Sequence, residues 1–491
     1  MEIAFSDAKN GETTCALGGK HFHSAYNPSR EAEQFVARLS VPFNPSAVVI
    51  IEPALSYCAS FLRKRFPHAM LCAVRTCTFF SASDGAWDAV FASCATLSEQ
   101  LFSKLGEETL CSALFFAWQP SEQLFPEASG QAWRAIKAAV LKSRDVLATR
   151  SYFAKRWMKN AVRFCAHLRH PALLRRGTGD ILIAASGPSL RSSLPHIAAH
   201  RTRFFLIALS SALLPLLHEG ITPDLVLSTD GGFWAKRHFE CCGHDITHIP
   251  FALAAEGACP TVLLETQTVV PLCYSDGIES PLLSACGLPA LGAVRNGTVS
   301  GTAVEFALTL TSGNIYLCGL DLAAASGFQH TQPNALELRN EAHDARLHPK
   351  HTRIAAAAFG AHGSLAIYRD WFVSASGRLA QRVFRLSDSY PFVHSLGKIQ
   401  DIGWTAFAQN TAHSGQLFPA IEPTEMTLPD PKHAIATLLP NVFATNAYDS
   451  ELCPVETLMQ KRAATESERH AYAEDIAQKK TQFLRELQGL L

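Results

Sequence analysis

Two hydrophobic rhythms alternate along the chain. Residues 47–51 (Ala-Val-Val-Ile-Ile) form a short, largely β-branched apolar run of the kind that becomes a strand buried on both faces. A helical stretch, 30–39, precedes it, an amphipathic helix is expected at 57–66, and a second strand at 70–74. Strand, helix, strand at this spacing predicts a βαβ unit of a parallel sheet, and further strand and helix signals run to Phe116. From Trp133 the period lengthens. Trp133, Ile136, Val140 and Leu147, then Phe153, Trp157, Ala161, Phe164 and Leu168, make one helical stripe, which reads as an arm connecting two domains.

Residues 179–374 return to α/β alternation, with strands expected at 181–184, 204–208, 225–228, 249–253, 269–273 and 315–318. Beyond Gly403 the chain becomes loop-rich, through Pro419, Pro423, Pro429 and Pro431. It closes in a charged amphipathic helix with Tyr472, Ile476, Phe483, Leu487 and Leu490 on one face, a stripe that reads as a docking face, with an oligomer or partner contact as the alternative. The expected organisation is therefore 1–130 Rossmann-like, 131–175 a helical linker, 176–400 a central α/β domain, and 401–491 loop-rich and helical.

Composition narrows the function classes. Lysine plus arginine equals aspartate plus glutamate, at 43 each, so nothing in the overall charge calls for a nucleic acid or an anionic membrane. Residues 1–9 carry Glu2 and Asp7 and no apolar run, so they do not read as a secretory signal. The longest apolar stretch, 204–217, falls short of the roughly 20 residues a spanning helix needs. A soluble, cytoplasmic protein is expected. The 14 cysteines lie scattered in apolar segments; only Cys241 and Cys242 are adjacent, and no Cys-x-x-Cys pair occurs, which argues for reduced thiols and against structural zinc.

Three elements carry candidate chemistry. Ser186-Gly187-Pro188-Ser189-Leu190 follows an apolar strand and opens a helix, a turn of small residues where backbone amides and hydroxyls suit an anion. An ordinary capped turn is the plainer alternative. Asn296-Gly297-Thr298-Val299-Ser300-Gly301 is a second hydroxyl-rich helix start, open to the same two readings. The third is Asp321, after the strand 315–318, followed by Gly327 and His330; Asp230 follows strand 225–228 in the equivalent place. Acidic residues at the carboxyl ends of α/β strands lie where such sheets bind ligands. The turn after strand 47–51, Glu52-Pro53-Ala54-Leu55-Ser56, lacks glycine, so the first domain reads as a scaffold or interaction module.

At Ser186 to Leu190, at Gly220-Ile221-Thr222-Pro223-Asp224 with Asp230, and at 315–322 with His330, the chain resembles the motility-associated-factor (Maf) flagellin glycosyltransferases. Their central domain is also similar to 6-hydroxymethylpterin diphosphokinases (MptE-like). Ser24-Ala25-Tyr26-Asn27-Pro28 with Arg30-Glu31-Ala32, and Tyr368-Arg369-Asp370-Trp371-Phe372, extend the likeness over residues 20–400. The Gly-Pro-Ser-Leu turn is similar to one in bacterial sialyltransferases. The chain departs from the family pattern at Ala184-Ala185 and at Ser210-Ser211, where related sequences carry glycine and an acidic residue.

The resemblance implies a sialyltransferase-like central domain that moves a nonulosonic acid, of pseudaminic or legionaminic type, from its CMP derivative to serine or threonine of flagellin. It implies a nucleotide-sugar donor and no tightly bound cofactor. The acceptor hydroxyl must lose a proton, and because an imidazole ordinarily titrates near neutrality His330 is the first choice of catalytic base and Asp230 the second. Ser186, Gly187, Pro188, Ser189, Asn296, Gly297, Thr298, Ser300 and Asp321 would hold the nucleotide, Asp321 by orienting loop backbone or donor hydroxyls. A magnesium ion, if one is used, falls to Asp230. Pyrophosphoryl transfer from ATP to a pterin alcohol and a non-catalytic flagellar assembly factor are the alternatives.

Overall fold

The computed structural model describes residues 3–241, 243–323, 328–354, 362–387, 394–411, 417–425 and 430–491. Cys242, Gly327 and Pro429 lie outside the described residues. The chain divides into two compact units, 1–154 with 446–482, and 155–445 with 483–491.

The first unit opens with antiparallel strands β1 (Ala4–Asp7), β2 (Thr13–Leu17) and β3 (Lys20–His21). A parallel sheet follows, of β4 (Ala47–Ile51), β5 (Met70–Arg75), β6 (Ala89–Ala92) and β7 (Ala113–Ala117), in the order β6-β5-β4-β7. The period of two in β4 explains its wholly apolar sequence. Val48 and Ile50 join Ala32, Val36 and Leu62 from helices Pro28–Arg38 and Cys58–Arg65. Val49 and Ile51 join Leu101 and Leu105 of helix Leu97–Cys111. With a helical layer on each face, neither side of the strand can be polar.

This sheet reverses its strand order between β4 and β7, where an α/β sheet ordinarily offers a ligand crevice. Here the place is taken by the protein's own side chains. Glu52, fully buried, accepts from Arg75 Nη1 (2.9 Å), Thr76 N (2.7 Å) and Thr76 Oγ1 (3.0 Å). Arg75 also donates to Asp84, Ser83 and the Ala54 carbonyl. The glycine-free turn adopts left-handed backbone at Glu52, Ala54 and Ser56 (φ 41°, 47° and 63°) to build that network.

The second unit holds one large sheet. Its strands are β8 (His170–Arg175), β9 (Ile181–Ala184), β10 (Phe205–Leu209), β11 (Leu225–Ser228), β12 (Phe251–Ala254), β13 (Thr268–Cys273), β14 (Leu291–Gly292), β15 (Ile315–Cys318), β16 (Val383–Leu386), β17 (Gln400–Ile402) and β18 (Ala420–Pro423). The order is β17-β16-β15-β9-β10-β11-β12-β13-β8-β18, with β14 also on β13. Every pairing is parallel except β18 with β8. From β9 the chain winds one way through β13, and β15 to β17 add on the other side. The topological switch therefore lies between β9 and β15.

The six central strands read from hydrophobicity fall within two residues of those observed. Five others have no counterpart in that reading. They are short or lie at sheet edges, where alternation is too brief to register; β14 has two residues. One of them corrects the expected linker: residues 170–175 are a strand, and the helix occupies Pro126–His167. The expected C-terminal region is divided as well. Asn44 N donates to the Arg462 carbonyl (2.8 Å) and Arg462 Nη1 to the Cys111 carbonyl (3.1 Å), tying 446–482 to the first unit. The final helix, Glu466–Gln488, buries Ile476, Phe483 and Leu487, as a docking stripe should.

The Gly220 to Asp224 motif also finds a mechanical explanation. Asp224 Oδ2 accepts from Leu206 N (2.7 Å) and Oδ1 pairs with Arg201 (2.7 Å), so it pins the amino ends of β10 and β11. That edge is opposite the switch-point loops. No helix among the described residues is long and apolar enough to cross a membrane.

Candidate functional site

The loops leaving β9 and β15 touch so closely that only glycine fits. Gly319 has φ +66°, and a Cβ there would lie 2.1 Å from the Ala185 carbonyl oxygen. A Cβ on Gly187 would lie 2.4 Å from the Gly319 carbonyl oxygen and 2.7 Å from Asp321 Oδ2. The two glycines let one loop lie against the other at the carboxyl edge of the sheet, where ligands bind in this class of fold.

What the contact does with its polar groups departs from an open phosphate cradle. Gly187 N donates to Gly319 O (2.7 Å), Leu190 N to Gly187 O (2.9 Å), and Ser189 N to Asp321 Oδ2 (2.6 Å). Ser189 Oγ donates to the other Asp321 oxygen. The anion that this helix start attracts is the chain's own carboxylate. Burial holds Asp321 above the usual carboxylate range, and the two Ser189 donors offset only part of that rise. Asp321 thus orients the turn. Pro188 supplies shape and no amide donor.

His330 lies against the same turn. Its Nδ1 is 2.7 Å from Ser186 Oγ, and Ser186 Oγ donates to Ser211 Oγ at 2.7 Å. The neighbouring Thr331 bolts the histidine loop down, N to Ser186 O (2.7 Å) and Oγ1 to Gly187 O (2.6 Å). His238, on the short helix Ala235–Phe239, presents its ring edge-on to His330 with centroids 6.1 Å apart. Burial lowers the pKa of both rings. For His238, with His330 adding to it, the value falls to about 4 from 6.5.

His238 is therefore neutral in the folded protein over a range where the unfolded chain would take up a proton. Its contribution is intact above pH about 6.5, declines as pH falls toward 4, and then levels off. We expect the urea midpoint of wild type to drop more between pH 7 and 4.5 than that of His238→Gln. Parallel curves for the two proteins would remove His238 from that account.

The second helix start is arranged differently. In helix Val299–Leu310, Thr298 makes no side-chain cap. Its Oγ1 bonds Ser300 Oγ (2.8 Å), and Asn296 Oδ1 accepts from Thr298 N (3.3 Å). Gly297 has open space around it, and Gly301 is crowded by the Asn296 side chain. First-turn amides of a helix carry partial positive charge and suit a phosphate. Asp230 is exposed and takes Gly232 N on Oδ1 (2.7 Å). The structure thus joins Ser186, Gly187, Ser189, Asp321 and His330 in one constellation. Among the described residues no hydrogen bond links Asp230, or Asn296 to Ser300, with it. No group of three or more His, Cys, Asp or Glu among the described residues is placed to hold a metal.

The comparisons with known proteins fit this arrangement. Residues 155–327 match the model of the 6-hydroxymethylpterin diphosphokinase MptE-like family. An uncharacterized protein of Treponema pallidum is 30% identical over 319 residues, covering 64% of this chain and 69% of that protein. The structure of a Maf glycosyltransferase from Magnetospirillum magneticum AMB-1 superposes with a TM-score of 0.53 at 14% identity, over 99% of this chain and 91% of that one. The chain carries an MptE-like central domain and has the fold of a Maf glycosyltransferase. The MptE-like match takes in the Ser186 turn, the Val299 helix start and Asp321, and ends three residues before His330.

Sequence reasoning missed several members of this edge of the sheet. Thr331 and His238 follow no motif. Ser211 was visible only as a departure from the family's acidic position. A third group was missed altogether: Arg295 pairs with buried Glu256 (2.7 Å) and exposed Asp276 (2.8 Å) and lies over the Tyr274 ring (4.3 Å). Its signal was the position of Glu256 and Tyr274, just past the carboxyl ends of β12 and β13.

Proposed function

We propose that the chain is a glycosyltransferase that moves a nonulosonic acid from a CMP-sugar to a serine or threonine hydroxyl of flagellin, in the cytoplasm. The observation that carries this reading is His330, held against Ser186 at the switch point of a sheet whose fold is that of a Maf glycosyltransferase. That likeness supports a transferase; the CMP donor, the sugar and the flagellin acceptor rest on the sequence motifs.

Transfer requires the acceptor oxygen to bond the anomeric carbon while the bond from that carbon to the phosphate oxygen breaks. The electron pair leaves with CMP, and the acceptor proton passes to His330. A neutral imidazole is competent for this, and lowered basicity keeps it neutral near pH 7. The negative charge growing on the phosphate suits the Val299–Gly301 amides with Thr298 and Ser300, which are preorganised donors. Asp321 acts at one remove, by holding Ser189 and the turn. The scheme needs no tightly bound cofactor; a magnesium ion, if used, would fall to Asp230.

One observation favours a second reading. The family match at 155–327 carries the name of a pterin diphosphokinase, so pyrophosphoryl transfer from ATP is the rival. Isothermal titration separates the two: we expect CMP to bind the purified chain with or without magnesium. Magnesium-dependent binding of ATP with no heat from CMP would replace the first reading by the second.

A further inference from the structure

The Ser186 hydroxyl has two neighbours and one proton. It gives that proton to Ser211 Oγ, so toward His330 it can only accept. We infer that Ser186 is a positioning residue for His330: its hydroxyl accepts a hydrogen bond from Nδ1–H and donates its own to Ser211, and this relay of hydrogen bonds leaves Nε2 as the free basic nitrogen. The inference rests on the proposed role of His330 as the base and gives it a specific tautomer.

Three further observations support the relay. The turn's amides at Gly187, Ser189 and Leu190 are already engaged within the protein, and the Ser186 hydroxyl faces the histidine loop. The Ser186 and Gly187 carbonyls hold Thr331, so the ring and its partner move as one body. Among the described residues no carboxylate is hydrogen-bonded to the His330 ring; the titratable group facing it is the His238 imidazole. A catalytic histidine is commonly oriented by a carboxylate, which also raises its basicity. A hydroxyl orients without adding charge, so it fixes the tautomer and leaves burial free to keep the ring neutral.

The experiment is an imidazole nitrogen NMR spectrum of the full chain, selectively labelled at histidine and without ligand, with His330 assigned by its loss in His330→Gln. Wild type is expected to show the Nδ1–H tautomer. Ser211→Ala, which returns the Ser186 proton to the ring, should shift His330 toward the Nε2–H form. Ser186→Ala should do the same, with transfer kcat about tenfold lower and the CMP dissociation constant within about twofold. An Nε2–H ring in wild type, or a tautomer unmoved in Ser211→Ala, overturns the relay. So does a folded Ser186→Ala protein that loses CMP binding tenfold, which would make Ser186 a nucleotide ligand. The tautomer is read without substrate, so a chain that ignores CMP but shows the expected tautomers would sink the glycosyltransferase reading and leave the relay standing.

Discussion

Gly319→Ala should unfold the second unit at markedly lower denaturant and remove nucleotide binding with it. The alanine would have to hold φ near +66° while its methyl carbon sat 2.1 Å from the Ala185 carbonyl oxygen. The first term costs about 1 kcal/mol and the second, an overpacking against backbone that cannot rotate away, about 1–3 kcal/mol. Relief requires the β9 and β15 loops to separate. That breaks Gly187 N to Gly319 O and takes Asp321 from Ser189, so stability and site fall together. Gly297→Ala is the matched control: nothing lies within 4 Å of its Cβ position, and a change under about 0.5 kcal/mol is expected. Circular dichroism through a urea series, with CMP titration alongside, gives both readouts. A Gly319→Ala protein with the wild-type midpoint would mean that the loops do not need their close contact.

The same contact explains what could be read in advance and what could not. Strands such as β4, β9 and β15 are buried on both faces, and burial on both faces writes itself into consecutive apolar letters. The carboxyl-end rule then placed Asp321, Asp230 and the Ser186 turn on one edge of the sheet, the carboxyl edge. Partnership was not legible. The turn looked like an anion site because its residues are those of one. Only the fold reveals that the anion is Asp321, 132 positions away from Ser189 in sequence. Ser211 and Thr331 were hidden for the same reason, since a hydroxyl that orients a ring has no periodicity and no spacing. The segment 446–482 escaped because a helical stripe records that it docks and not where.

His330→Gln should lower kcat for transfer by about 10²–10⁴ and leave the KM for the nucleotide sugar nearly unchanged. Glutamine keeps a polar group near Ser186 but cannot take the acceptor proton. The pH dependence supplies the sign. Burial lowers the His330 pKa from 6.5, so the neutral, base-competent form persists as pH falls through that value and is lost only below it. The wild-type rate should therefore stay flat from about pH 8 down through about 6.5 and fall only at lower pH; residual turnover of the glutamine variant should lack that limb. A rate that rises with acid would assign the ring to proton donation. Equal losses in binding and turnover would make it a ligand contact, and the base would have to be sought in a group that a bound acceptor brings to the switch point.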